Sequence, residues 1–293
     1  MKVRKSYLAI ILAIIIGSML LSGCSGNGAE NSTLPDNNSG GTIDIGLLEI
    51  GDRVMDTTWE WEYRTGYGYT AQENDVTAPV VWIVVAKDHY GTGSVTLLSE
   101  NLLGYFTFDT SMLESGLVAG WGHWGDSGTG NAQQGIRPWL NSTGIHAGEG
   151  FYAAFSDAFA SLVLDTEVLN KEYENGAEYT TSDKVFIPSS TELGDTEHMD
   201  TYEIGSVFEY FAGKGDDART AQVKDDTWGD RTYWLRNPNT QGYRPVGAVY
   251  DRGFITNQFA DFNNTGVRAV VNVSNTTKVS AAPDEEGIYI IKY

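Results

Sequence analysis

The residue types that do chemistry gather in a few places along this chain. Trp121-Gly122-His123-Trp124 sets two indoles around an imidazole in a Gly-rich stretch. Aromatic pairs of this kind stack on sugar rings while polar neighbours fix orientation; the same residues would serve as a loop whose tryptophans cap a core. Residues 239–265 hold Tyr243, Arg244, Tyr250, Arg252, Phe254, Asn257, Phe259, Asp261, Phe262, Asn263 and Asn264. Aromatic and Arg side chains supply binding energy at low rotamer cost and Asn adds adaptable hydrogen bonds, so the mixture has the composition of a recognition surface. Alternation sets a limit, because in a strand every second aromatic points inward, and about half of these side chains are expected in the core. Asp225, Asp226 and Asp230 offer hard oxygen ligands without the ligand order or central glycine of an EF-hand. A weak calcium site and a solvated acidic loop both fit them, and no other metal or cofactor is expected. His89, His123, His146 and His198 are scattered, with no i, i+4 pair and no HExxH, so zinc has no support. Gly125-Asp126-Ser127-Gly128 has no His in a suitable context and makes no serine triad, which is defined by geometry and roles.

Cys24, the only cysteine, carries a different chemistry. Lys2, Arg4 and Lys5 precede the apolar stretch Leu8 to Leu21, and Ser22-Gly23 are small, which is how a secretory signal is built. Leu21-Ser22-Gly23-Cys24 resembles the lipobox of bacterial lipoproteins, which implies cleavage before Cys24 and acylation of its thiol by chains such as palmitate. Two or three chains, at about 0.8 kcal/mol per buried methylene, anchor firmly. An uncleaved transmembrane helix is the competing reading, since roughly 14 to 17 apolar residues lie at the short edge of a span. With Cys24 lipidated no thiol remains for disulfides, redox chemistry or thiolate ligation. Removing residues 1–23 takes away three cations and no acid, so the net charge of −20 becomes about −23, which disfavours nucleic acid and anionic lipid as partners. The membrane is expected as a partner through the lipid anchor only.

Residues 24–44 are polar and rich in Gly, Asn and Ser, and are expected to form a flexible tether. About 20 such residues span about 25 Å on average and about 70 Å when taut. Residues 45–293 then form a single domain. Val80 to Val85 and Ser94 to Leu98 read as strands joined by the Asp88-to-Gly93 turn. Phe151, Phe155, Ala158, Phe159 and Leu162 fit a helical period, and Tyr202 to Phe211 fits one less well. Tyr233 to Leu235, Val246 to Tyr250, Gly253 to Thr256, Val267 to Val273 and Ile288 to Ile291 are short β-type runs. Helices in the middle and strands from both ends argue an α+β fold of mixed short strands and a few helices.

In this order along the chain, Ile50-Gly51-Asp52, Trp82-Ile83-Val84, Leu97-Leu98-Ser99-Glu100, Ile136-Arg137-Pro138-Trp139-Leu140-Asn141, Lys184 to Ser189, Asp217 to Ala221, Trp234-Leu235-Arg236-Asn237-Pro238 and Gly266-Val267-Arg268-Ala269 resemble the bacterial surface domain catalogued as domain of unknown function 6273. That family looks related to the C-type-lectin-like fold shared with sulfatase-modifying enzymes. The resemblance implies a lectin-like domain whose segment between the Trp-Leu-Arg and terminal strands lies on an exposed, ligand-binding face. The chain departs from the family pattern in two inserts, residues 113–130 and 191–202, and in Ala269 where Pro is usual. The first insert would add surface near a binding face, and Ala269 would leave the last strand unbroken. Trp139, Trp234, Arg236 and Arg268 are read as structural, an Arg on a strand satisfying carbonyls or a carboxylate with its five donors.

The sulfatase-modifying relatives depend on active-site cysteines that this chain lacks, and fold alone does not license function. This favours an extracytoplasmic, lipid-anchored module that binds a glycan or protein ligand. A variable protein of a diversity-generating retroelement is a specific form of it, with Asn237, Asn239, Asn257, Asn263 and Asn264 in the variable region. An envelope structural protein and an uncharacterised enzyme on the sulfatase-modifying type of fold stay open as alternatives, the enzyme requiring convergent titratable groups.

Overall fold

A computed structural model describes residues 41–65, 75–109, 135–172, 175–195, 201–226, 229, 231–240 and 245–293. The strands are β1 (Thr42–Asp44), β2 (Arg53–Met55), β3 (Trp61–Tyr63), β4 (Val76–Ala78), β5 (Val81–Lys87), β6 (Ser94–Ser99), β7 (Thr166–Lys171), β8 (Glu178–Asp183), β9 (Tyr233–Pro238), β10 (Pro245–Val249), β11 (Ile255–Phe259), β12 (Val270–Ser274), β13 (Lys278–Ser280) and β14 (Ile288–Lys292). Two short α-helices, α1 (Ile136–Leu140) and α2 (Asp157–Leu162), accompany them among the described residues. Strands dominate, and the fold class is β-rich.

A mixed seven-stranded sheet in the order β1-β13-β14-β2-β5-β6-β12 organises the core. β5 and β6 are buried on both faces, which explains the nearly unbroken apolar run of β5; β6 buries Ser94, Thr96 and Ser99 along with its apolar residues, the Thr96 hydroxyl donating to Asn272 Oδ1 at 2.7 Å. The first and last described strands close this sheet together, β1 pairing antiparallel with β13 and β2 parallel with β14. Thr42–Asp44 is therefore a paired strand, which moves the end of the expected 24–44 tether before residue 42. A separate three-stranded antiparallel sheet runs β11-β10-β9, and β3/β4 and β7/β8 are hairpins.

The expected helix over Phe151 to Leu162 is interrupted. Tyr152–Ala154 is a 3-10 turn that ends in extended backbone at Phe155. α2 then starts afresh with Ser156 as its cap, the Oγ accepting from Phe159 N at 3.1 Å. The four-residue spacing still converges on one partner: the rings of Phe151, Phe155 and Phe159 lie 5.9, 4.6 and 5.6 Å from that of Trp59. Of the second expected helix only the 3-10 turn Glu209–Phe211 exists. The Lys184-to-Ser189 segment joins the core through one bridge, Phe186 to Val270, and Asp216–Arg219 is a 3-10 turn. Ala269 also differs from expectation: its N–H donates to the Ser99 hydroxyl at 3.0 Å, and β12 begins one residue later. Among the described residues no helix is long and apolar enough to cross a membrane.

Candidate functional site

β9 is buried along its whole length. Trp234 donates its indole N–H to Phe106 O at 2.7 Å, and Tyr233 donates its hydroxyl to Arg219 O at 2.7 Å. Arg236 is wholly withdrawn from water and grips the Glu192 carboxylate with both terminal nitrogens. Its remaining donors reach Leu169 O at 3.2 Å and Ile187 O at 3.0 Å, tying β9 to β7 and to the 184–192 segment. Glu192 also accepts from the Tyr90 hydroxyl and from Ser189 N. Burial alone would loosen the Arg236 proton, but the Glu192 carboxylate outweighs it and holds the guanidinium charged. Burial, with Glu192 added, pushes the Tyr90 phenol well above its ordinary range, so it stays a donor. This network floors a cavity of about 570 Å³ whose walls include His89, Glu167 and Glu203. Arg268 is equally buried and donates to Ser99 O at 2.9 Å. Trp139, on the buried side of α1, packs against Phe106, ring centroids 4.0 Å apart.

The sequence pattern around Glu192 went unread, although Ser189-Ser190-Thr191-Glu192 has capping-box spacing. In the fold the box closes reciprocally, Ser189 N donating to Glu192 Oε2 at 2.9 Å and Glu192 N to Ser189 Oγ at 3.1 Å.

On the three-stranded sheet the β10–β11 hairpin turns at Gly253, whose φ of 84° favours glycine. A Cβ there would also meet Asp216 O at 1.8 Å, so the turn sits tightly on the 3-10 turn beneath it. Tyr250 and Phe254 flank this turn with ring centroids 5.0 Å apart, and Phe259 and Phe262 pair at 5.5 Å at the far end of β11. All four are exposed, at 39, 42, 47 and 40 %. The expectation that half the aromatics would enter the core therefore fails for those described. Tyr250, Phe254 and Phe262 sit in or beside turns, where strand parity does not bind them, and Phe259 faces out from the last position of β11, while Val246, Val249, Ile255 and Ala260 fill the interior. The two pairs are separated by β11, about 17 Å at strand rise, with Thr256, Asn257 and Gln258 half-buried between them. Arg252, Asn263 and Asn264 are exposed and Asp261 is half-buried, whereas Asn237 and Asn239 are buried. Asn237 binds Ser190 N, Ser190 Oγ and Tyr202 O, and no ligand-facing role is left to it.

The ends of segment 110–134 are rooted beside this ledge. Asp109 bridges Gly135, and Asp109 N donates to Ala260 O at 2.9 Å. Trp121, His123 and Trp124 themselves lie outside the described residues, as do Tyr243, Arg244, Asp230, His198 and Cys24. Asp225 is exposed, and Asp226 accepts from Tyr105 and Arg231, both at 3.1 Å. Among the described residues no three His, Asp or Glu side chains converge as a metal would require.

Fold and site together define a class: a β-rich domain with a buried Arg–carboxylate clamp and a solvent-facing aromatic ledge on a small separate sheet. The chain belongs to the family described as Domain of unknown function (DUF6273), whose profile matches residues 93–275, more than half of its length. No curated protein and no solved structure matches it. The Trp-Leu-Arg, Gly-Val-Arg and Arg-Pro-Trp-Leu-Asn motifs fall inside the match, and Ile50-Gly51-Asp52 and Trp82-Ile83-Val84 fall before it. β1 to β5, β13 and β14 also lie outside, so the large sheet is completed by chain beyond the family match.

Proposed function

We propose that this chain is a surface recognition module, lipid-anchored at Cys24 outside the cytoplasm, that binds a glycan or protein ligand through the ledge of Tyr250, Arg252, Phe254, Phe259 and Phe262. One observation carries the reading: among the described residues, four of the eight exposed large hydrophobic side chains fall within residues 250–262. A single exposed aromatic needs no explanation, but clustered ones on a pinned backbone favour a contact surface. A lectin-like fold, which the resemblance implies, would agree with this placement, since it puts ligand contacts on that segment. In a retroelement-diversified version, Asn257, Asn263 and Asn264 would be the positions free to vary.

Glycan and protein arrays probed with the full-length protein test the reading. Binding abolished by Tyr250→Ala, Arg252→Ala or Phe254→Ala supports it, and unchanged binding in all three removes this face. The anchor has its own test. Cys24→Ser is expected to abolish incorporation of labelled palmitate and release the protein from the membrane fraction, whereas continued labelling would refute acylation of Cys24.

A further inference from the structure

A cleft of about 520 Å³ opens on the side of the core where Trp61 and Trp139 meet edge-to-face, with ring centroids 5.7 Å apart. Its volume is that of a small-molecule site. Trp61 is half-buried and its indole N–H is already given to Leu103 O at 2.9 Å, so the ring offers the cleft apolar surface and no donor. The backbone lining the cleft beside Trp139 is held close to it. A Cβ on Gly150 would meet Trp139 O at 1.9 Å, and Ala153 N is fixed by Ser142 Oγ at 2.7 Å. The polar groups along the cleft are Arg64, His146 and Glu149. Arg64 is shared with Glu62 at 3.1 Å, and among the described lining residues Arg64 and Glu149 are one cation and one carboxylate, without net charge.

His146 is held below the ordinary imidazole range, first by burial and against the opposing pull of Glu149, and is therefore neutral at neutral pH. A neutral imidazole both donates and accepts, as hydroxyl groups do. An aromatic wall, balanced charge and groups of both hydrogen-bonding senses suit a neutral ring with one apolar face and a rim of hydroxyls. The cavity over Arg236 differs, since Glu167, Glu178, Glu192 and Glu203 give it an acidic lining.

We infer that the Trp61–Trp139 cleft is a binding site for a neutral sugar ring, separate from the aromatic ledge and independent of it. The ring's C–H face lies on the indole wall, and its hydroxyls reach His146, Arg64 and Glu149.

The test is saturation-transfer NMR on the full-length protein, in a detergent without sugar headgroups, with neutral methyl hexosides and N-acetylhexosaminides as probes. At least one probe is expected to show transfer to its ring C–H protons. Trp61→Ala is expected to weaken that probe by about tenfold or more, the scale on which truncating an aromatic anchor acts. Ala153→Trp, which fills the cleft from an exposed position without removing a core contact, is expected to do the same with the melting temperature retained. Exposed Leu47→Ser serves as the unaffected control. No transfer from any probe, or transfer unchanged in Ala153→Trp, would overturn the assignment. The readout is hexoside binding alone, so failure here leaves array binding by the ledge standing, and the reverse.

Discussion

Arg236 shows what a strand motif can and cannot tell. Its place on a buried strand follows from the apolar run around it, but its partners do not: Glu192 is 44 residues away and Tyr90 a further 102 from Glu192. No periodicity links such positions; only the tertiary fold brings them together. Removing one member should leave the other charge buried and uncompensated. Glu192→Gln is expected to destabilise the protein by about 3–5 kcal/mol in urea unfolding, and a loss under about 1 kcal/mol would mean that water reaches the pair. His89 packs edge-to-face on Phe208 at 4.7 Å and Tyr90 at 4.8 Å. Burial lowers its pKa, followed by opposing Glu192, reinforcing Arg236 and opposing Glu209. A depressed imidazole is neutral when folded while the unfolded chain takes up its proton near pH 6.5. Stability from this group is thus full above about pH 6.5 and lost as pH falls toward the folded value. His89→Gln is expected to flatten the melting-temperature profile in that window, and an unchanged slope would contradict it. The ledge was legible as composition, but its outward aim was not, because Tyr250, Phe254 and Phe262 sit at turns where alternation gives no direction and Phe259 ends β11.

Among the elements, β5, β6, β9 and β12 were readable because short buried runs rich in β-branched or, in β9, aromatic residues, set off by Gly, Asn or Asp, have few other solutions. The segment after α1 was half legible. Its four-residue spacing records a shared contact with Trp59, which a 3-10 turn and a capped α-helix meet as well as one continuous helix does. β1 was hidden because three residues of mixed polarity become a strand only when β13 offers its edge. The family match has a mechanical consequence at this scale. β6 lies between β5 and β12, and residues 93–275 alone would expose the β6 edge that β5 covers. That fragment is expected to lack a cooperative thermal transition while the full chain has one, and a sharp transition in the fragment would contradict this account of the sheet.

Across the whole molecule, charge and architecture point the same way. A net charge of −20 disfavours contact with anionic surfaces, and the smaller sheet, separate from the seven-stranded one, presents four exposed aromatics with its turns. The pairing of β2 with β14 was not legible in the sequence, because these short runs carry no sign of each other. The most direct measurement is array binding by the full-length protein beside a variant with Tyr250, Phe254, Phe259 and Phe262 all changed to Ser. Because these side chains contribute little to the core, the two proteins should melt together. Wild type is expected to capture a ligand that the variant binds about a hundredfold more weakly, about 2.7 kcal/mol. Equal capture by both proteins would contradict the central claim.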